Sequence, residues 1–128
     1  MVRERLHLTH LFAAAIVVGA LGRLVVRMEV AGESMLPAFE PGDRVVALRC
    51  RRLAPGDAVV LRDPRKPERL VLKRVAAAGP AGIDVRGDNP AASTDSRQWG
   101  SVAAGAVIGR VVYRYAPTSR AGRIQSRR

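Results

Sequence analysis

Val30-Ala31-Gly32-Glu33-Ser34-Met35-Leu36-Pro37-Ala38-Phe39-Glu40-Pro41-Gly42-Asp43 decides the reading of this chain. An apolar run, Leu24–Val30, leads in, and a second, Arg44–Leu48, leads out. Between them Pro37, Pro41 and Gly42 force the backbone to turn. A β-run followed by a turn places Ser34 at a sharp strand exit. A serine in such a place either caps a turn amide or presents its hydroxyl from a fixed backbone as a nucleophile.

The flanking sequence repeats the pattern. Short apolar runs occur at Ala58–Leu61, Leu70–Ala78, Ile83–Arg86 and Ala106–Tyr115, and Gly42-Asp43, Gly56-Asp57 and Gly87-Asp88 punctuate them. Apolar residues make up 48% of the 128 residues but aromatics only 4%, so the core must be built from Val, Leu, Ile and Ala. This predicts a single, mainly β domain. Asp63-Pro64-Arg65-Lys66-Pro67 reads as a loop, because proline leaves a paired strand without its donor.

The net charge of +11 suggests nucleic acid, but its placement argues against it. Residues 1–27 hold four arginines and one glutamate, and residues 114–128 hold five arginines and no acid. The stretch between is close to balanced. A nucleic-acid domain concentrates charge on its folded face and interleaves aromatics. The basic ends suit anionic lipid better, so the expected contacts are membrane lipid and no nucleic acid.

Leu6–Gly22 is mostly apolar, with Leu11–Gly22 unbroken. It reads as a membrane anchor, a cleaved secretory signal or a core helix; the absence of a clean small-x-small site before a polar start favours the anchor. The expected organisation is an N-terminal anchor over 1–27, a catalytic domain over 28–115 and a disordered basic tail over 116–128. Cys50 is the single cysteine, and His7 and His10 lie in the N-terminal segment, so no metal site or cofactor is expected.

Only two lysines exist, Lys66 and Lys73. Lys66 lies between prolines and is expected in solvent. Lys73 lies within Leu70-Val71-Leu72-Lys73-Arg74-Val75, where period-two alternation puts it on the face of Val71 and Val75, opposite Arg74. A lysine on an apolar face either snorkels to water or tends to lose its proton, and a neutral lysine is a general base. With no histidine near, Lys73 is the candidate base for Ser34. The segment Gly87–Gly100 adds small polar residues, the Asp95/Arg97 couple and the only tryptophan, Trp99. Ordered loops of this length usually carry function.

Gly32-x-Ser34-Met35-x-Pro37, Gly42-Asp43, Lys73-Arg74-Val75, Gly87-Asp88-Asn89 and Ser93-x-Asp95-Ser96-Arg97-x-Trp99-Gly100 stand in an order that resembles the boxes of type I signal peptidases. The resemblance covers about Met28 to Arg114. It implies a small coiled-sheet, barrel-like β core, with Ser34 as nucleophile and Lys73 as general base. It implies Ser93 as the hydroxyl orienting the lysine, with Asp95 and Arg97 supporting that loop. Gly32 stands near the oxyanion site where many bacterial members have serine, and Met35 and Pro37 shape the turn and cleft. The implied substrates are pre-proteins or pro-proteins cut after small residues, by a domain outside the cytoplasm on a single-pass cell-membrane anchor. Only 13 residues separate Lys73 from Gly87, so the inserted domain of larger members is absent. In size the chain is similar to the proteases that mature nickel-type superoxide dismutase. That leaves a dedicated maturase, or a peptide-binding β-domain without activity, as alternatives.

Overall fold

Residues 24–127 are described by the structure, a computed structural model. Seven strands, β1 (Val25–Glu29), β2 (Arg44–Leu48), β3 (Ala58–Asp63), β4 (Lys66–Gly79), β5 (Gly82–Arg86), β6 (Val107–Ala116) and β7 (Gly122–Arg123), form one antiparallel sheet. Its order is β1-β2-β6-β3-β4-β5, with β7 added on β6. One helical turn, α1 (Ser96–Trp99), and three short 3₁₀ turns complete the fold. The mainly β expectation is met. A barrel-like closure is not, because β1 and β5 remain the two ends of the strand path; beyond β5 there is only an isolated bridge from Ile83 to Val102.

Alternation explains the core. β3 is buried on both faces: Ala58 and Val60 pack into one cluster with Met35, Phe39, Val45, Ala47, Leu72 and Val111, while Val59 and Leu61 pack into another with Val75, Ile83, Val85 and Val102. A strand buried on both sides must read as a continuous apolar run, as Ala58–Leu61 does. β2 alternates instead, with Val45 and Ala47 inward and Arg44 and Leu48 outward.

The Gly-Asp pairs close turns by a shared device. The Asp43 carboxylate accepts the Glu40 N–H at 2.9 Å, and that of Asp57 accepts the Ala54 N–H at 2.9 Å. Gly42 and Gly56 precede them at φ +92° and +95°, which side chains rarely adopt. Asp88 differs: its carboxylate pairs with Arg74 at 2.8 Å across the β4–β5 ladder.

Three expectations need correction. Residues 116–128, read as a disordered tail, are instead folded through Arg127: β7 pairs with β6, Ile124 packs on the first core, and Arg120 meets the Asp43 carboxylate at 2.9 Å. Composition alone gave the tail its disordered look; burial of Asp43 supplies the partner that orders Arg120. The folded unit therefore runs from β1 through the tail rather than over 28–115. The stretch 63–67 is not all loop either, since β4 begins at Lys66 and includes Pro67. A register break between Arg62 and Asp63 makes this possible, because a bulge relieves the need for proline's missing donor. The expected anchor lies outside the described residues, apart from its last few positions in β1. Among the described residues no helix is long and apolar enough to cross a membrane.

Candidate active site

The excursion between β1 and β2 is closed at its neck. The Val30 N–H donates to the Asp43 carbonyl at 2.7 Å, and the Gly42 N–H donates back to Val30 at 2.8 Å. Met35 and Phe39, each 1% exposed, fasten the excursion into the first core. The Asn89 N–H holds the Ser34 carbonyl at 2.8 Å, and Asn89 Nδ2 holds the Glu33 carbonyl at 3.1 Å. Arg114 reaches the Ala38 carbonyl at 2.9 Å. Ser34, half-buried, is thus fixed from three sides.

Lys73 pairs with Val59 across β3–β4 and is only 4% exposed. Its Nζ donates to Ser93 Oγ at 3.0 Å. Ser93 Oγ donates in turn to Asp95 Oδ2 at 2.6 Å. Asp95, fully buried, also accepts from the Gly87 N–H at 2.8 Å and from the Arg97 guanidinium at 2.7 and 2.9 Å. Its carboxylate takes the Arg97 N–H at 3.1 Å while Gln98 Oε1 takes the Asp95 N–H at 3.0 Å, capping α1 at both groups. One carboxylate therefore starts a helix, grips a guanidinium and fixes a hydroxyl.

Electrostatics follow from this packing. Burial pushes the Lys73 amine below the ordinary lysine range; Asp95 and Asp63 pull it back up, and Arg65 and Arg69 push it down further. Burial alone would raise the Asp95 carboxyl, but hydrogen bonds from Arg97, Ser93 and Gly87 outweigh it and hold the group well below the usual carboxylate range.

Ser34 and Lys73 line one cleft of about 210 Å³, with Gly32, Met35, Leu72 and Thr94. No hydrogen bond joins Ser34 to Lys73 among the described residues; the amine is engaged by Ser93. A buried amine with a lowered pKa is unprotonated, and so free to act as a base, over a wider pH range than an exposed one, and a fixed hydroxyl lining the same cleft is a proton source. Gly32 lies at φ +76° with open space where a side chain would extend. Lys66 is exposed, as expected. Pro37 is exposed and outside the cleft lining, so its contribution is to the turn. Among the described residues no group of His, Cys, Asp and Glu side chains is placed to hold a metal ion.

Two residues that the sequence places in the Gly87-Asp88-Asn89 box, without a role, make contacts to Ser34. A Cβ on Gly87 would overlap the Ser93 hydroxyl and lie 2.7 Å from the Ser34 carbonyl oxygen, so only glycine lets the two segments meet. Asn89 bridges to Ser34 across 55 positions of sequence, a contact that no local pattern reports.

The family model "Signal peptidase, peptidase S26" matches residues 3–89. Among curated relatives, the mitochondrial inner membrane protease subunit 2 of Schizosaccharomyces pombe is 34% identical over 120 residues, covering 74% of this chain and 67% of that protein. The mitochondrial ATP-independent inner membrane protease subunit 1a of Arabidopsis thaliana is 33% identical over 115 residues, covering 69% and 68%. Subunit 1b of the same plant is 29% identical over 113 residues, covering 67% of each chain.

Proposed function

The chain belongs to the signal peptidase family, peptidase S26, and from that premise we propose that it is a serine endopeptidase in which Ser34 is the nucleophile and Lys73 the general base. The observation that carries the reading is the buried Lys73 amine, tied to Ser93 at 3.0 Å in the cleft that Ser34 lines.

Ser93 gives its own proton to Asp95, so its lone pair is what it offers Lys73. A neutral lysine then donates one N–H to Ser93 and keeps its lone pair for Ser34. Lys73 takes the Ser34 proton as Oγ attacks the peptide carbonyl, forming a tetrahedral oxyanion. The Ser34 backbone N–H meets that oxyanion, without help from a side chain at Gly32. The ammonium passes its proton to the leaving amine, and the acyl-enzyme remains. Water attacks the ester, Lys73 serving again as base, and Ser34 is released.

The substrates we assign are pre-proteins cut after small residues at the first and third positions before the bond. The location is a membrane, reached through the apolar stretch Leu6–Gly22, with the folded domain from β1 onwards on the side where pre-proteins emerge. The inner membrane protease relatives favour this over dedicated maturation of a nickel-type superoxide dismutase, and they make a mitochondrial-type inner membrane as natural a setting as a cell membrane. The test is cleavage of a small-x-small pre-protein peptide by the full chain, with Ser34→Ala beside it. Site-specific cleavage lost in Ser34→Ala supports the reading. A chain that binds the peptide and never cuts it makes the fold a binding domain.

A further inference from the structure

The chain enters the described fold at Leu24, and the elements beside that point are basic and apolar. The Arg49 N–H donates to the Leu24 carbonyl at 2.9 Å, and Leu48 pairs with Val25. Leu24 and Leu48 are 52% and 39% exposed, two of the three large apolar side chains that are exposed in the described fold. Arg49, Arg51 and Arg52 follow at once, all exposed, and none forms an ion pair among the described residues. This loop rims an open groove of about 740 Å³ whose floor includes Ala78, Ile83 and Val107 and whose lining holds no acidic residue. The neighbouring β4–β5 turn, Gly79-Pro80-Ala81-Gly82, is uncharged as well.

We propose that the Arg49–Leu53 loop, with Leu24 and Leu48, is a docking surface for an anionic bilayer. The three guanidiniums meet lipid phosphates, and the two leucines enter the interface. The proposal rests on the reading that the apolar residues before Leu24 enter a membrane. It takes the place of lipid contact by the C-terminal basic segment, whose Arg120 is committed to Asp43. Charge complementarity chooses the occupant: each arginine held at an anionic surface is worth roughly a fivefold gain in affinity. Along β1 the three steps from Val25 to Met28, the first residue to line the Ser34 cleft, at about 3.3 Å each, then set the near edge of that cleft about 10 Å beyond the docked end.

The loop contains its own probe, because Cys50 is the only cysteine in the chain. The full chain is reconstituted into nanodiscs of phosphatidylcholine alone or with phosphatidylglycerol, and labelling of Cys50 by a water-soluble maleimide is timed. The expected result is several-fold slower labelling in the anionic discs. Salt near 1 M, where screening acts within about 3 Å, should restore the rate, as should Arg49→Glu, Arg51→Glu and Arg52→Glu combined. Equal rates in the two discs, or protection that survives salt and charge reversal, overturns the proposal. Incorporation into neutral discs reads the anchor separately. If the chain fails to enter them, that reading falls, while salt-reversible retention by anionic discs, lost on charge reversal, still supports the loop. Retention unchanged by charge reversal, or no retention at all, refutes it.

Discussion

Lys73 Nζ rests against Ser93 Oγ at 3.0 Å, so the amine is aimed by a hydroxyl that is itself aimed by Asp95. Ser93→Ala should lower kcat roughly 10²-fold with KM little changed, because positioning is lost while the cleft remains. Ser93→Thr, which keeps the hydroxyl, should recover part of it. Steady-state kinetics on one peptide checks this; a loss confined to KM would mean that Ser93 does not position Lys73.

Lys73 should separate activity from stability. A buried amine held below its ordinary pKa disfavours the charged form, so its cost to the fold is fully present below the folded-state pKa and fades as pH rises from there towards the ordinary lysine value. Lys73→Met should abolish cleavage, a loss on the order of 10⁴–10⁶ in kcat, while holding or raising Tm at pH 7. Lys73→Arg should be equally inactive, since guanidinium stays protonated. Lys66→Ala should change neither. Thermal melts run beside the assay check this.

Asp95 should show the opposite linkage. Its carboxyl titrates below the ordinary aspartate value, so its contribution is complete above about pH 4 and fades as pH falls through the folded-state pKa. Asp95→Asn should cost about 3 kcal/mol at pH 7, because it removes the charge that Arg97 pairs with and one of the two oxygens that Arg97, Ser93 and the Gly87 N–H share. The deficit should shrink in acid. Denaturant melts across that range measure it.

The cations around Lys73 should tune the pH at which cleavage begins. Arg69 pushes the amine down, so Arg69→Gln should move the acid limb of kcat to higher pH. Arg97 offsets the Asp95 charge, which pulls the amine up; Arg97→Gln should move the limb the same way. A pH–rate profile that stays put in both variants would show that Lys73 does not set the limb.

Glycine substitutions should rank by space rather than by nearness to Ser34. Gly87→Ala forces a methyl into Ser93 and the Ser34 carbonyl, so activity and Tm should fall together. Gly32→Ser meets no neighbour but must hold φ +76°, a strain on the order of 1 kcal/mol. Any gain from its hydroxyl has to exceed that strain, and parallel assays of the two variants decide it.

The strands were legible because their signal is local: Arg44–Leu48 is an apolar run straight after a Gly-Asp turn, and Ala58–Leu61 is apolar throughout. Lys73 was legible for the same reason, its parity with Val71 and Val75 placing it on a buried face. What the sequence hid is long-range. Asn89 and Gly87 act through Ser34, and Arg114 and Arg120 act through Asp43, by contacts that depend on which strands become neighbours. The ordered C-terminal segment was missed on that account, since its basic composition looks like a tail until buried Asp43 is placed beside it. Arg65 and Arg69 join the cleft lining from in and beside the proline-rich stretch 63–67, where no local pattern points to them.

The central claim is that neutral Lys73 activates Ser34. The most direct test is the rate at which a serine-reactive acylating probe modifies the full chain as pH is varied, with the adduct mapped by mass spectrometry. The account predicts one adduct, on Ser34, forming with a pH midpoint below the ordinary lysine value and vanishing in Lys73→Met. An adduct on another residue, or on Ser34 at an undiminished rate in Lys73→Met, would contradict it.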